Sequence, residues 1–307
     1  MTSNDGFTAG DLSPLMVVAE TVYGTTPETG WFFGLESTKV TPTDSNNQYQ
    51  ARWGGDRSIN SDAMVSRSLE AGFNMDFDIP GLTNWIEPVF STAFGASAGT
   101  TKTGDLPSFS AVVQVAENNI LYNGCKIDTL KMSCAKPRDV VQCNASVMAS
   151  YRAPVVAGEV TGLQDLTLTL PDVATRTMYA PVQWVKAMVL DGVTIYPQSF
   201  EINLSNGLSD GRELGDMVGA DTNNYYGTRA IRGGGRTIEV SLSMFFKDWA
   251  YMATELSNPK LDSLSVELGD NTFTFENGRY KTNTWPDLQQ EQMMLPLKMM
   301  FESVVIS

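Results

Sequence analysis

The chain of 307 residues contains no histidine. Ser-His-Asp triads, Cys-His dyads, HExxH zinc sites and histidine general bases are therefore excluded. Cysteine is scarce: Cys125, Cys134 and Cys143 match neither a zinc ribbon nor a CxxC motif. If Lys126–Cys134 is one strand, Cys125 and Cys134 point to opposite faces. All three are expected to be unpaired small sheet residues of a reducing compartment. No apolar run approaches the ~20 residues of a membrane helix. The polar stretch Met1–Ser13 lacks the apolar core of a secretory leader. Basic residues are few. Against 35 acids the chain has 21 Lys and Arg, a net charge of −14, so the basic footprint of a nucleic-acid binder is missing. An acidic surface keeps a protein soluble. It also lets a protein lie beside a polyanion without gripping it.

What is present is a repeat. Leu69, Ala71, Phe73, Met75 and Phe77 alternate with Glu70, Gly72, Asn74, Asp76 and Asp78. That period reads as a half-buried strand. Asp78 then caps a helix with Pro80 in its first turn. The helix carries Trp85, Ile86, Val89, Phe90, Ala93 and Phe94 on one stripe, and Gly95 ends it. Pro88 would kink it. The same order returns at Arg236–Leu256. Ile238, Val240, Leu242 and Met244 alternate with polar residues, and Asp248 caps a helix with Trp249, Met252 and Leu256. Trp85, Phe90 and Trp249 are the expected core anchors of these helices. An arginine–glycine turn precedes each copy: Arg52 to Arg57 before the first, Arg232 to Arg236 before the second. Such a duplication changes the fold reading before anything else does.

The rest of the chain reads mainly as strand. The expected organisation is an N-terminal arm over 1–14, a first unit over 15–151, a linker over 152–162 and a second unit over 163–307. Two polar stretches without periodicity, Pro42–Val65 and Leu208–Ile231, read as long loops with a role in contacts between subunits. Asn123-Gly124 and Asp191-Gly192 read as tight turns. Thr272–Phe275 and Gly278–Trp285 read as separate strands.

Other motifs are weaker. Gly233–Gly235 lacks the lysine and Ser/Thr of a P-loop and precedes a strand, so a turn is the better reading. Asp44, Asn46 and Asn47 fail the EF-hand pattern. Acids on one strand face, such as Asp76 and Asp78, could serve a glycosidase but read better as a solvated face. No cofactor and no enzymatic activity are expected.

The order of features resembles the tail tube (major tail protein) family of long-tailed bacteriophages. The resemblance rests on Glu20-Thr21-Val22-Tyr23-Gly24-Thr25-Thr26-Pro27, on Gly55-Asp56-Arg57, on the Leu69–Phe77 strand with its helix, and on Pro107-Ser108-Phe109-Ser110. It spans most of Val17–Glu302. It implies a mainly β chain of duplicated β-sandwich or barrel units, each with one short α-helix, closing into a β-barrel tube on oligomerisation. It implies a structural virion protein whose rings stack into a conduit for genomic DNA. The resemblance leaves the number of chains per ring open; the duplication points to three with pseudo-sixfold symmetry, and six chains with one sheet each at the lumen is the alternative. Partners would be tape measure, terminator and tail-tip proteins, and duplex DNA would pass without specific binding. Glu70, Asp76, Asp78 and Glu239 become candidate lumen-facing acids. Arg52, Asp56, Arg57, Arg232 and Arg236 become candidate contacts between subunits. The alternative is a β-sandwich carbohydrate- or receptor-binding module. A histidine-free acidic hydrolase stands last.

Overall fold

The computed structural model describes residues 15–33, 37–51, 61–76, 106–115, 118–137, 139–156, 158–160, 166–172, 185–210, 231–232, 234–245, 260–269, 271–282 and 294–306; over 37–51 and most of 61–76 it describes the backbone only. The described residues are mainly strand, without a helix. The helices expected after Asp78 and Asp248 lie outside them.

The first repeat runs β1 (Leu15–Ala19), β2 (Phe32–Phe33), β3 (Ser37–Ala51), β4 (Ser61–Asp76), β5 (Phe109–Val115), β6 (Asn118–Cys134), β7 (Gln142–Ala149) and β8 (Tyr151–Val156). The second runs β11 (Val185–Leu190), β12 (Val193–Ile195), β13 (Ser199–Ser205), β14 (Ser209–Asp210), β15 (Ile231–Arg232), β16 (Thr237–Phe245), β17 (Lys260–Leu268), β18 (Asn271–Thr282), β19 (Met294–Phe301) and β20 (Ser303–Ile306). Between them lie β9 (Glu159–Val160) and β10 (Leu166–Thr167), so residues 151–160 themselves carry sheet.

Pairing is antiparallel throughout and repeats strand for strand. β1 pairs β2 and β5, as β11 pairs β12 and β17. β4 lies between β3 and β7, as β16 lies between β13 and β19. β6 takes β5 on one side and β7 with β8 on the other. β18 takes β17, and β19 with β20, in the same way. The repeat seen in the alternating strands holds to the residue. Leu69 faces Ala149 as Ile238 faces Phe301, and Asp76 faces Gln142 as Phe245 faces Met294. Ile238, Val240, Leu242 and Met244 are buried, and the residues between them half-buried, which is what alternation demands of a sheet with one wet face.

Three expectations need correction. Asn123-Gly124 is not a hairpin turn. It is a kink inside the continuous strand β6, with Gly124 at φ +58°. There β6 exchanges β8 for β7 as its partner. Asn277 stands at the matching place in β18, at φ +54°, so Thr272–Phe275 and the start of Gly278–Trp285 are one strand. Asn-Gly chemistry supplies left-handed backbone, and a kink uses it as readily as a turn.

Over its described residues, 42–51 and 61–65, the stretch Pro42–Val65 is not a loop. Its described residues belong to β3 and β4, which pair from Ser37 opposite Met75 to Ala51 opposite Ser61. A two-stranded ribbon pairs the backbone groups that face its own middle, and its polar composition leaves no period to read. The ends of Leu208–Ile231 pair likewise, Ser209 with Arg232.

Cys125 and Cys134 do not face opposite ways. The register of β6 shifts between Ile127 and Thr129, and this bulge flips the parity of the strand. Both side chains join one core cluster with Phe109, Val147, Leu204 and Phe275. The cysteines are free and buried. Burial raises the pKa of all three, and the Glu20 charge adds to the rise at Cys125. Only the thiolate is a nucleophile. The native protein is therefore expected to resist alkylation at pH 8 and to react at all three sites once unfolded; rapid native labelling read by intact mass would contradict this packing.

Candidate assembly interface

Eight strands lie side by side in the order β3, β4, β7, β6, β13, β16, β19, β18. The first four come from one repeat and the last four from the other. The joint between the repeats is β6 against β13, from Cys134 opposite Phe200 to Thr129 opposite Ser205.

Asn206 ends this joint and clips it. It is 2% exposed. Its side-chain amide donates to the Ile127 carbonyl at 2.8 Å, and its backbone N–H donates to the Asp128 carbonyl at 2.8 Å. The Asp128 carboxylate accepts from Leu208 N–H at 2.7 Å. Ile127 and Asp128 sit in the β6 bulge, which turns these groups toward the partner strand. Gly234 N–H then donates to the Asn206 carbonyl at 3.0 Å. A Cβ on Gly234 would run into the Gly207 carbonyl, so Gly234 serves close backbone approach. Asn206→Ala is expected to cost about 2 kcal/mol, because the Ile127 carbonyl is left buried without its donor. Urea unfolding checks it, and a loss under ~0.5 kcal/mol would remove the clip.

In β6, β7, β13, β16 and β19 one face is core and the other mostly polar. Thr129, Lys131 and Ser133 on β6, Glu201 and Asn203 on β13, and Glu239, Ser241 and Ser243 on β16 are half-buried on the polar face. Lys131 meets Glu201 at 2.8 Å, and Lys281 pairs with Glu239. Pairs this exposed add at most about 1 kcal/mol each to stability. Their larger effect is to cancel the charges of Lys131 and Lys281 on that face.

Of the residues singled out in the sequence, Glu239 lies on this face beside Lys281. Glu70 holds the same register in β4, opposite Met148 as Glu239 is opposite Met300. Asp76 ends β4. Arg232 lies in β15. Arg236 is exposed on the whole; partial desolvation of its guanidinium lowers its pKa, and it remains a cation. Asp78, Trp85, Phe90, Trp249, Arg52, Asp56 and Arg57 lie outside the described residues. Sequence reading missed Asn206 and Asp128. An Asn-Gly pair such as Asn206-Gly207 signals a strand end or turn in a sequence, and nothing local shows which strand the amide reaches.

Glu20 holds a second polar knot. Its carboxylate accepts from Gly24 N–H and Gly124 N–H, each at 2.8 Å, and from Ser110 Oγ at 2.6 Å. Thr26 Oγ1 lies 3.1 Å from Ser110 Oγ, and Asn123 donates to the Gly24 carbonyl. The Lys126 ammonium sits 4.8 Å from the centre of the Tyr23 ring. Two distant motifs, Glu20–Pro27 and Pro107–Ser110, thus meet at the kink of β6.

Comparison with family models gives a match over residues 10–296 to a family described as phage tail tube protein. No curated protein matches the chain.

Proposed function

The chain belongs to the phage tail tube protein family, and from that premise we propose that three copies close into a ring of six similar units and that rings stack into the DNA-conducting tube of the tail. The observation that carries this reading is the eight-strand sheet built jointly by the two repeats, which ends at β3 on an edge without a partner among the described residues. Open edges need covering, and closure into a barrel removes them. Closed rings also need a repeating interface, which a duplicated chain offers at every unit.

Three such sheets supply about 24 strands. At ~4.8 Å per strand and ~40° tilt the circumference is ~150 Å and the backbone diameter ~48 Å. Side chains narrow this by roughly 10 Å, which leaves room for a duplex. Six chains with all eight strands at the wall would double the bore and guide DNA poorly.

In this reading the polar face lines the lumen, with Glu239 and Glu70 at equivalent heights and Asp76 and Asp78 toward one end. Paired lysines cannot bridge to phosphates, so duplex DNA slides instead of sticking. The arms that carry Arg52, Asp56, Arg57, Arg232 and Arg236 contact neighbouring subunits or rings. Trp85, Phe90 and Trp249 anchor one short helix in each unit, with the units at 15–151 and 163–307 joined by 152–162. Tape measure, terminator and tail-tip proteins would meet the tube inside and at its ends, after assembly in the host cytoplasm.

Native mass spectrometry and top-view electron microscopy test the ring. The expected result is a mass of three chains under a pseudo-sixfold outline. A six-chain ring would sink the trimer, and a monomer at every concentration and salt would sink the tube.

A further inference from the structure

We propose that the second repeat alone carries a phosphate-contacting patch, Lys298 with Arg279, on the polar face where β18 and β19 meet, and that this patch touches duplex DNA inside the tube. The inference rests on the ring reading above and names where the wall meets the duplex.

Lys298 and Arg279 are exposed. Lys298 lies opposite Ser241 of β16. Arg279 lies opposite Met300, and so does Glu239 from the other side. The alternate residues Leu297, Met299 and Phe301 point into the core, and Gly278, next to Arg279, abuts the Phe301 ring. Both cations therefore stand on the polar face. They are diagonal neighbours, about 7–8 Å apart in an antiparallel pair. Neither has an ion-pair partner among the described residues, whereas Lys131 and Lys281 on the same face are paired. Lys260 stands directly opposite Arg279 on β17. Like charges so placed repel, and a phosphate above them relieves the repulsion.

The first repeat lacks this patch. Ser146 faces Gly72 where Lys298 faces Ser241. Lys126 faces Met148 where Arg279 faces Met300, but Lys126 is buried, with its ammonium against the Tyr23 ring. The bulges at Ile127 to Thr129 and at Tyr280 to Thr282 fall at the same step, so Asp128 stands where Lys281 stands. Only the acid is common to both, Glu70 and Glu239. In the ring the strands thus repeat at every unit, and the cations at every second one.

Duplex DNA is the occupant this pattern fits. It carries one negative charge per ~1.7 Å of axis, so a fixed patch finds a phosphate at any height and rotation. An acidic protein segment would have to bring its charges into register. Two unpaired cations on a chain of net charge −14 make a weak contact, and stacked rings repeat it along the duplex. A patch that neutralises two phosphates loses about 60-fold in affinity for a tenfold rise in salt.

Pelleting of assembled tubes with a short fluorescent linear duplex tests the patch. The expected result is retention by wild-type tubes at low salt, lost at least as steeply as that slope. K298Q with R279Q should lower retention tenfold or more, and E239Q, which releases Lys281, should raise it. K136Q with K186Q changes net charge equally away from the patch and should leave retention as it was. A closed circular duplex cannot thread a tube and should stay in solution. Tubes that retain no linear duplex would overturn the patch while the ring reading stands, and would leave an acidic protein as its occupant. Equal retention by the K298Q/R279Q tubes, an equal loss from K136Q/K186Q, or equal retention of the circle would overturn it as well. If the wild-type chain forms no ring or tube, the ring reading falls and the patch with it. If the double variant does not assemble, K298Q and R279Q singly must each lower retention, and no loss from either overturns the proposal.

Discussion

Glu20→Ala is expected to cost about 3–5 kcal/mol, one of the two largest losses we foresee from a single substitution. The carboxylate accepts three hydrogen bonds. Hydrogen bonds to a charged group contribute about 1.5–3 kcal/mol each, and a buried donor left without an acceptor costs about 1–3 kcal/mol. Gly124 is buried, and Ser110 is 0% exposed. Water cannot readily replace the lost oxygens there. Glu20→Gln keeps one carbonyl oxygen and should lose roughly half as much, on the same count of charged bonds. Glu28→Ala, on the exposed side of the same turn, should stay within about 0.5 kcal/mol. Chemical denaturation of the three variants decides the matter. A Glu20→Ala loss near that of Glu28→Ala would show that the knot holds nothing.

Gly124→Ala is the second. The residue sits at φ +58°, where a side chain costs about 1–2 kcal/mol. A Cβ there would also lie 2.5 Å from Ser150 Cβ, so backbone must shift. The sum is about 3 kcal/mol or more, since overpacking adds ~1–3 kcal/mol. Asparagine tolerates left-handed backbone, so Gly124→Asn separates the two causes. It should still cost about 2 kcal/mol through the contact alone. At the matching position of the second repeat, Asn277 is exposed and already carries a side chain. Asn277→Gly should therefore change stability by less than ~1 kcal/mol. Equal losses at both positions would mean that the two kinks are held in the same way. Thermal unfolding of the two pairs of variants gives the comparison.

The duplication was legible because strand alternation leaves a mark in the sequence. Ile238 to Met244 bury one face and wet the other, Leu69 to Met75 alternate alike in the sequence, and the paired register sets the two strands in the same place residue for residue. The hairpin at Asp191-Gly192 was legible for a similar reason, since positive φ at both residues demands that chemistry. Asn123-Gly124 carries the same local signal and means something else. Left-handed backbone is a property of a residue, whereas turning back depends on what pairs with the strand on either side. At Gly124 the partners continue, β8 giving way to β7, and the strand only bends.

The sequence by itself determined the β class, the repeat, the exclusion of histidine chemistry, and the short motifs that resemble the family. All of these are local: a period, a composition, a residue type at a spacing. Tertiary structure alone decided that Pro42–Val65 belongs mostly to a paired ribbon, that Cys125 and Cys134 share a core, and that β6 meets β13. A polar ribbon has no period, a bulge inverts parity with a single residue, and a joint between strands 70 residues apart is written in neither strand. Backbone hydrogen bonding makes it, and every residue except proline carries the same donor and acceptor. The pairing of an edge is therefore almost silent in the sequence, and the joint became visible only when the two repeats were laid side by side.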